Sequence, residues 1–161
     1  MKKAYWIALI VAAVGGTALH FLYALLPNAV TALIAPVNES VWEHLKLLFW
    51  PTLAAALVLS FRAKDRPRLW SGFLIALLAM PAALLTAYYG LRVVGVEGLA
   101  VDVALYYLTM AGGFYLAWRL RRSERAAALG GIALMLVMLY GTALILFTFA
   151  APPLEIFRSP V

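Results

Sequence analysis

The sequence predicts an all-α integral membrane protein, built as one bundle of about five transmembrane helices. Hydrophobic residues make up 66% of the 161-residue chain and charged residues only 12%. A soluble domain of this size with that balance would expose large apolar patches. The apolar residues fall in five stretches, each close to the roughly 20 residues that cross the hydrocarbon core of a bilayer. Clusters of basic residues separate these stretches at alternate ends.

The five predicted helices lie within a single domain, 1–161, and cover residues 4–26, 40–61, 69–90, 99–118 and 126–149. The first resembles a signal peptide in its basic start, but its apolar run exceeds the usual 7 to 15 residues, so we expect it to remain as a membrane helix. Pro51 and Pro81 predict kinks. Segment 27–39 is apolar but too short to span, which predicts an interfacial or re-entrant loop over the site.

The basic residues predict the orientation of the bundle. Most of the thirteen lie in clusters at 2–3, 62–68 and 119–125, which alternate between the ends of successive helices. The positive-inside rule places these clusters and the N-terminus in the cytoplasm, and the 27–39 loop, the 91–98 loop and the C-terminus outside. The same clusters account for the net charge of +6. We therefore expect the lipid bilayer as partner and no binding of nucleic acid.

The sequence also excludes several chemistries. It contains no cysteine, which rules out disulfides, cysteine-ligated zinc, iron–sulfur clusters and thiol nucleophiles. Phosphate-binding glycine loops, HExxH and GxSxG are absent as well.

The main functional signal is the polar segment PVNESVWEHLKLLFWP at residues 36–51. An ionisable side chain at the centre of a membrane helix costs roughly 2.5–3.5 kcal/mol on insertion scales, so such groups usually face a bundle interior or a cavity. Its polar members are Asn38, Glu39, Ser40, Glu43, His44 and Lys46.

Helical geometry brings polar groups from four helices to one depth near the outer face. With a rise of about 1.5 Å per residue, His20 and His44 lie at similar depths. Glycines at 15 and 16 would let a neighbouring helix approach the face of the first helix that carries His20. The other predicted members of this layer are Tyr23, Tyr88, Tyr89, Asp102 and Tyr106.

Some of these residues also have plausible structural roles. Ser40-x-x-Glu43 fits a capping box, in which Glu43 would reach back to the amide of Ser40. His20 could serve as an interhelical hydrogen-bond donor, and Lys46 could extend to the surface. Asp102 could stabilise the start of its helix.

Several motifs resemble a family of small multispanning prokaryotic membrane proteins of unknown function. They are His20-Phe21-x-Tyr23, the 36–51 segment, an outer Asp102, Phe147-Thr148, Pro152-Pro153, Phe157 and Pro160. The resemblance implies a bundle of about five helices, located in the prokaryotic inner or plasma membrane. It also implies a hallmark set of polar residues: His20, Asn38, Glu39, Glu43 and His44.

We favour a metal-dependent membrane hydrolase that acts on a lipid or lipid-linked substrate. His20 and His44 would bind a divalent metal such as zinc with Asp102 or Glu39, and Glu43 would be the general base. The alternatives are a small-solute or cation- or proton-coupled transporter, in which a homo-oligomer could supply symmetry, and a non-catalytic assembly protein. Haem bound by His20 and His44 is a minor option.

Overall fold

The computed structural model describes residues 2–159 and confirms the all-α class. Among these residues it contains no strand and seven helices. Pro160, the last proline of the motif, lies outside the described residues. The helices are α1 (Lys2–Leu25), α2 (Ala29–Ile34), α3 (Val41–Ser60), α4 (Arg66–Val93), α5 (Leu99–Leu120), α6 (Glu124–Ala128) and α7 (Gly130–Phe149), followed by a 3₁₀ turn, Glu155–Phe157.

Four of the helices are long and apolar enough to cross a membrane: α1, α4, α5 and α7. These helices indicate a bilayer environment and a multi-pass membrane protein. The sequence predicted α3 as a further span. The described helix has 20 residues but is not among these four, and its first turns carry the polar residues Glu43, His44 and Lys46.

Helix α3 lies at the centre of the bundle, where it packs against α1, α4 and α7. Its buried side chains include Leu45, Leu48 and Phe49, which join a core that contains Phe73 of α4 and Leu144 of α7. The interhelical approach is close at Gly141, where an added Cβ would lie 2.8 Å from the ring of Phe49. The polar start of α3 is therefore held inside the bundle.

The described helices differ from the predicted bounds at two places. Segment 27–39 contains the short helix α2, whose first turn is fixed by a capping box between Asn28 and Thr31. The predicted helix 126–149 is divided at Leu129 into α6 and α7. Ser123 caps α6 by accepting a hydrogen bond from the amide of Ala126 at 3.3 Å. Helices α3 and α4 continue through Pro51 and Pro81.

Charged groups join neighbouring helices at both ends of the bundle. At one end, Arg68 pairs with Asp65 at 3.1 Å and with Glu124, which brings the regions 62–68 and 119–125 together. At the other, Arg92 of α4 donates two hydrogen bonds, of 3.2 and 3.1 Å, to the carboxylate of Asp102 of α5.

Candidate functional site

Three side chains with metal-ligating atoms meet at the junction of α1 and α3. His20, Glu39 and His44 each offer one ligand atom, and these atoms lie within 4.8 Å of one another. His20 comes from α1, Glu39 from the loop before α3, and His44 from the first turn of α3. We call these three residues the His–Glu–His group.

Within this group, His44 lies close to both Glu39 and His20. Nε2 of His44 lies 3.4 Å from Oε2 of Glu39. The imidazole rings of His20 and His44 are 5.1 Å apart between centroids, at an interplanar angle of 39°. The side chain of Glu39 is 69% exposed and that of His44 30% exposed. The group therefore lies at the edge of the bundle, where a solute can reach it.

The loop before α3 orients the imidazole of His44. Its Nδ1 lies 2.8 Å from the carbonyl oxygen of Ser40. A carbonyl oxygen only accepts, so Nδ1 is the donor, and Nε2 is the ring nitrogen that faces Glu39. Metal-binding histidines commonly donate their second N–H to a carbonyl or carboxylate in this way. Asn38 holds the same loop, since its Oδ1 accepts a hydrogen bond from the amide of Ser40 at 2.9 Å.

A second polar cluster, formed by Glu43, Lys46 and Thr148, lies deeper in the bundle. Nζ of Lys46 is 2.7 Å from Oε2 of Glu43 and 2.6 Å from the hydroxyl of Thr148. Oε2 of Glu43 also accepts a hydrogen bond from the amide of Val37 at 2.9 Å. Thr148 lies 3.0 Å from the other carboxylate oxygen. We call these three side chains the Glu–Lys–Thr cluster.

The expectation that Lys46 extends to the surface is wrong. Lys46 is 0% exposed, and Glu43 only 2%. Nζ of Lys46 donates to the carbonyl oxygens of Ala32 at 2.8 Å and Ala35 at 3.3 Å. The C-terminal end of α2 thus supplies acceptors for a buried ammonium group, which needs such partners away from water.

Only half of the predicted capping box forms. The hydroxyl of Ser40 accepts a hydrogen bond from the amide of Glu43 at 3.3 Å. The side chain of Glu43 binds the amide of Val37 instead of that of Ser40. Because Lys46 is within reach on the next turn, the carboxylate is drawn into the Glu–Lys–Thr cluster.

Asp102 lies elsewhere in the bundle. It is in the first turn of α5, as expected, and its carboxylate forms the bidentate pair with Arg92. The guanidinium of Arg92 also stacks over the ring of Tyr88 at 3.4 Å from its centroid, a cation–π geometry. The His–Glu–His group does not include Asp102.

The remaining predicted tyrosines are distributed around α1. The hydroxyl of Tyr106 donates to the carbonyl oxygen of Ala13 at 3.0 Å. Gly16 permits this approach, since an added Cβ there would overlap the Tyr106 hydroxyl. Tyr23 is half-buried on the helix that carries His20, and among the described residues no side-chain hydrogen bond joins Tyr23 to the group.

Sequence reasoning missed three partners. Arg92 was detectable as a basic residue at the end opposite the basic clusters. Thr148 was noted within a motif but not as a partner of Glu43 and Lys46, 105 and 102 residues away in sequence. Trp50 donates from Nε1 to the carbonyl oxygen of Leu33 at 3.1 Å, which helps to fix α2.

The aromatic part of the motif anchors the C-terminal segment. The ring of Phe157 lies 5.0 Å from that of Trp42 in α3 and 5.3 Å from that of Phe147 in α7. Trp42 and Phe147 are 5.5 Å apart. Pairs at these separations contribute about 0.5–1.5 kcal/mol each beyond the area they bury.

Comparison with known proteins gives one match. A family model described as a family of unknown function, DUF6512, matches residues 1–161. No curated protein and no solved structure matches the chain.

Proposed function

We propose a function from the geometry of the site alone, because the chain belongs to DUF6512, a family of unknown function. The His–Glu–His group binds a divalent metal such as zinc, and the protein is a membrane hydrolase for a lipid or lipid-linked substrate. The observation that carries the proposal is the convergence of His20, Glu39 and His44, from three separate segments, within 4.8 Å.

The spacing of the group suits a small metal ion. Zinc binds nitrogen and oxygen ligands at about 2.0–2.1 Å with tetrahedral angles, so its ligand atoms are about 3.3 Å apart. The 3.4 Å between Nε2 of His44 and Oε2 of Glu39 already meets this spacing. The acidic, partly exposed surroundings of Glu39 also suit a metal ion better than haem, which needs an apolar pocket.

The ligand count supports catalysis rather than a purely structural metal. Three protein ligands leave the fourth tetrahedral position free, as in catalytic zinc sites. A metal held there would polarise a carbonyl or phosphoryl group and activate water for attack. The protein orients the ligands and leaves access to the metal. The carbonyl of Ser40 orients His44, and the exposed side of Glu39 leaves room for substrate.

The contacts favour Glu39 over Asp102 as the third ligand, and they favour a role for Glu43 different from the predicted general base. We assign Glu39 as a metal ligand. Glu43 is a positioning residue, because Lys46, Thr148 and the amide of Val37 occupy its carboxylate. Asp102 stabilises the packing of α4 on α5 through Arg92.

We also propose that α3 crosses the membrane as a fifth span, with the N-terminus in the cytoplasm. Its 20 residues suffice to span hydrocarbon, and Glu43 and Lys46 are paired inside the bundle, where they are not exposed to lipid. In a prokaryotic inner or plasma membrane, this orientation puts the His–Glu–His group at the outer face, beside lipid headgroups and lipid-linked substrates.

Metal content tests the site. Protein purified in detergent, loaded with zinc and dialysed against metal-free buffer, should retain about one equivalent by elemental analysis. His20→Ala, His44→Ala and Glu39→Gln should each lower zinc affinity by at least tenfold. Asp102→Asn is the matched control and should retain zinc like the wild type. Equal retention in all five proteins would refute the site.

Turnover tests the reaction separately. Vesicles of bacterial polar lipid, incubated with the zinc-loaded protein, should release water-soluble headgroup products detectable by mass spectrometry. His44→Ala and chelator treatment should abolish the release. Stoichiometric zinc without any product from such vesicles would contradict the hydrolase and leave the metal site standing.

A further inference from the structure

A groove lies between α1 and α3, and its lining residues do not include the His–Glu–His group. Its volume is about 700 Å³. Along α1 it runs from Ala4 to Leu19, which at 1.5 Å per residue is about 22 Å. We call it the α1–α3 groove. Its walls are formed by apolar side chains of two helices that face the bilayer.

Small side chains create this groove. Ala8, Ala12 and Gly15 line it on α1, and Ala54 and Ala55 line it on α3. Small residues on facing membrane helices usually bring the backbones together. Here they leave a long apolar space. Water is not stabilised there, because it finds too few hydrogen-bond partners. Hydrocarbon chains are the molecules that the surroundings supply.

The polar groups of the groove are concentrated at one end. Arg62, in the loop after α3, is its charged lining residue, and Tyr5 lines the same end. No carboxylate among the described residues pairs with Arg62, since Asp65 is taken by Arg68. The ring of Tyr5 is only 5% exposed and stacks on Phe73, and its hydroxyl is buried.

We propose that the α1–α3 groove binds one anionic phospholipid. Its acyl chain lies along the apolar walls, and its phosphate is held by the guanidinium of Arg62. The length of the groove exceeds the roughly 15 Å of one leaflet, half of the 30 Å hydrocarbon core. A long chain can therefore lie fully extended along it. This inference does not depend on the metal site.

Binding of defined lipids tests the proposal. Delipidated protein is titrated with phosphatidylglycerol or phosphatidylcholine of identical chains, and bound lipid is counted by native mass spectrometry. The wild type should bind one phosphatidylglycerol in preference to phosphatidylcholine. Arg62→Gln should lower that preference about tenfold, as expected for the loss of one charge-assisted contact. Glycerol phosphate, which has no chains, should not bind.

Two matched control variants separate the loss of lipid binding in the groove from general effects of adding a leucine or removing an arginine. Gly15→Leu fills the groove, and an added Cβ there meets no atom within 4 Å, so the variant should fold and lose bound lipid. Gly112→Leu on α5 is equally unobstructed but lies outside the groove and should bind normally. Arg125→Gln is the control for Arg62→Gln. The proposal is overturned if either variant behaves like its control, or if glycerol phosphate binds as well as the lipid.

Discussion

At the residue scale, the most unusual feature is the burial of Lys46 beside Glu43. Four acceptors surround an ammonium group that carries three hydrogens: the carbonyl oxygens of Ala32 and Ala35, the carboxylate of Glu43 and the hydroxyl of Thr148. These contacts connect α2, α3 and α7. They also fix the loop that carries Glu39, since Glu43 binds the amide of Val37 two residues before it.

Removing one partner of this pair should be strongly destabilising. We expect Lys46→Met to lower the free energy of unfolding by about 3–5 kcal/mol, because the carboxylate of Glu43 would be buried without a counter-charge. Reversible denaturation in mixed micelles measures this effect. An effect below about 1 kcal/mol would show that the cluster is hydrated, contrary to the described geometry.

The double variant Glu43→Gln/Lys46→Met separates charge from packing. It should recover part of the free energy of unfolding that Lys46→Met loses, because no charge is then buried without its partner. In a double-mutant cycle, contacting groups such as these show a large coupling energy. Arg68→Gln provides the control, since its exposed ion pairs contribute only about 0–1 kcal/mol. Strict additivity of the two single variants would contradict a direct interaction.

At the element scale, adjacent glycines on α1 have opposite surroundings. A Cβ at Gly16 would lie 2.7 Å from the carbonyl oxygen of Leu47 on α3 and would overlap the hydroxyl of Tyr106 on α5. A Cβ at Gly15 meets nothing within 4 Å. The sequence predicted that the pair allows a close approach, and the structure assigns that role to Gly16 alone.

The two alanine variants should therefore change stability in opposite directions. Gly16→Ala should destabilise the bundle by about 1–3 kcal/mol, because the backbone of α3 must shift. Gly15→Ala should stabilise it by about 0.5–1 kcal/mol, because alanine loses less conformational entropy in a helix. Thermal unfolding of both variants under one set of conditions provides the comparison. A loss of stability of similar size in both would indicate a general intolerance of α1.

The helices were predictable because apolar length is a strong signal, whereas their interruptions depend on tertiary contacts. Residues 99–118 and 69–90 were found nearly in full, with ends that moved by two or three residues. Helix α2 was missed because six residues between prolines carry no periodic pattern. The break at Leu129 was missed because glycines 130 and 131 continue an apolar run.

At the scale of the whole molecule, the sequence predicted one layer of polar residues, but only some of these residues come together. His20, Glu39 and His44 converge, because two helices and one loop meet there. Glu43 and Asp102 were predicted at a similar depth but pair with Lys46 and Arg92. Spacing along a helix gives the height and direction of a side chain, whereas the choice between competing partners depends on how helices are rotated against one another.

The number of spans decides whether the His–Glu–His group faces outward. Because the chain has no cysteine, single introduced cysteines can be labelled to determine the side on which each loop lies. If α3 crosses the membrane, its two flanking loops lie on opposite sides. Ala29→Cys and Glu97→Cys should then react with a membrane-impermeant maleimide in right-side-out vesicles, whereas Lys64→Cys should react only after permeabilisation. All three positions are exposed. The labelling of each variant in intact vesicles is expressed relative to its labelling after permeabilisation. Equal labelling of positions 29 and 64 in intact vesicles would place both loops on one side and reduce the spans to the four most apolar helices.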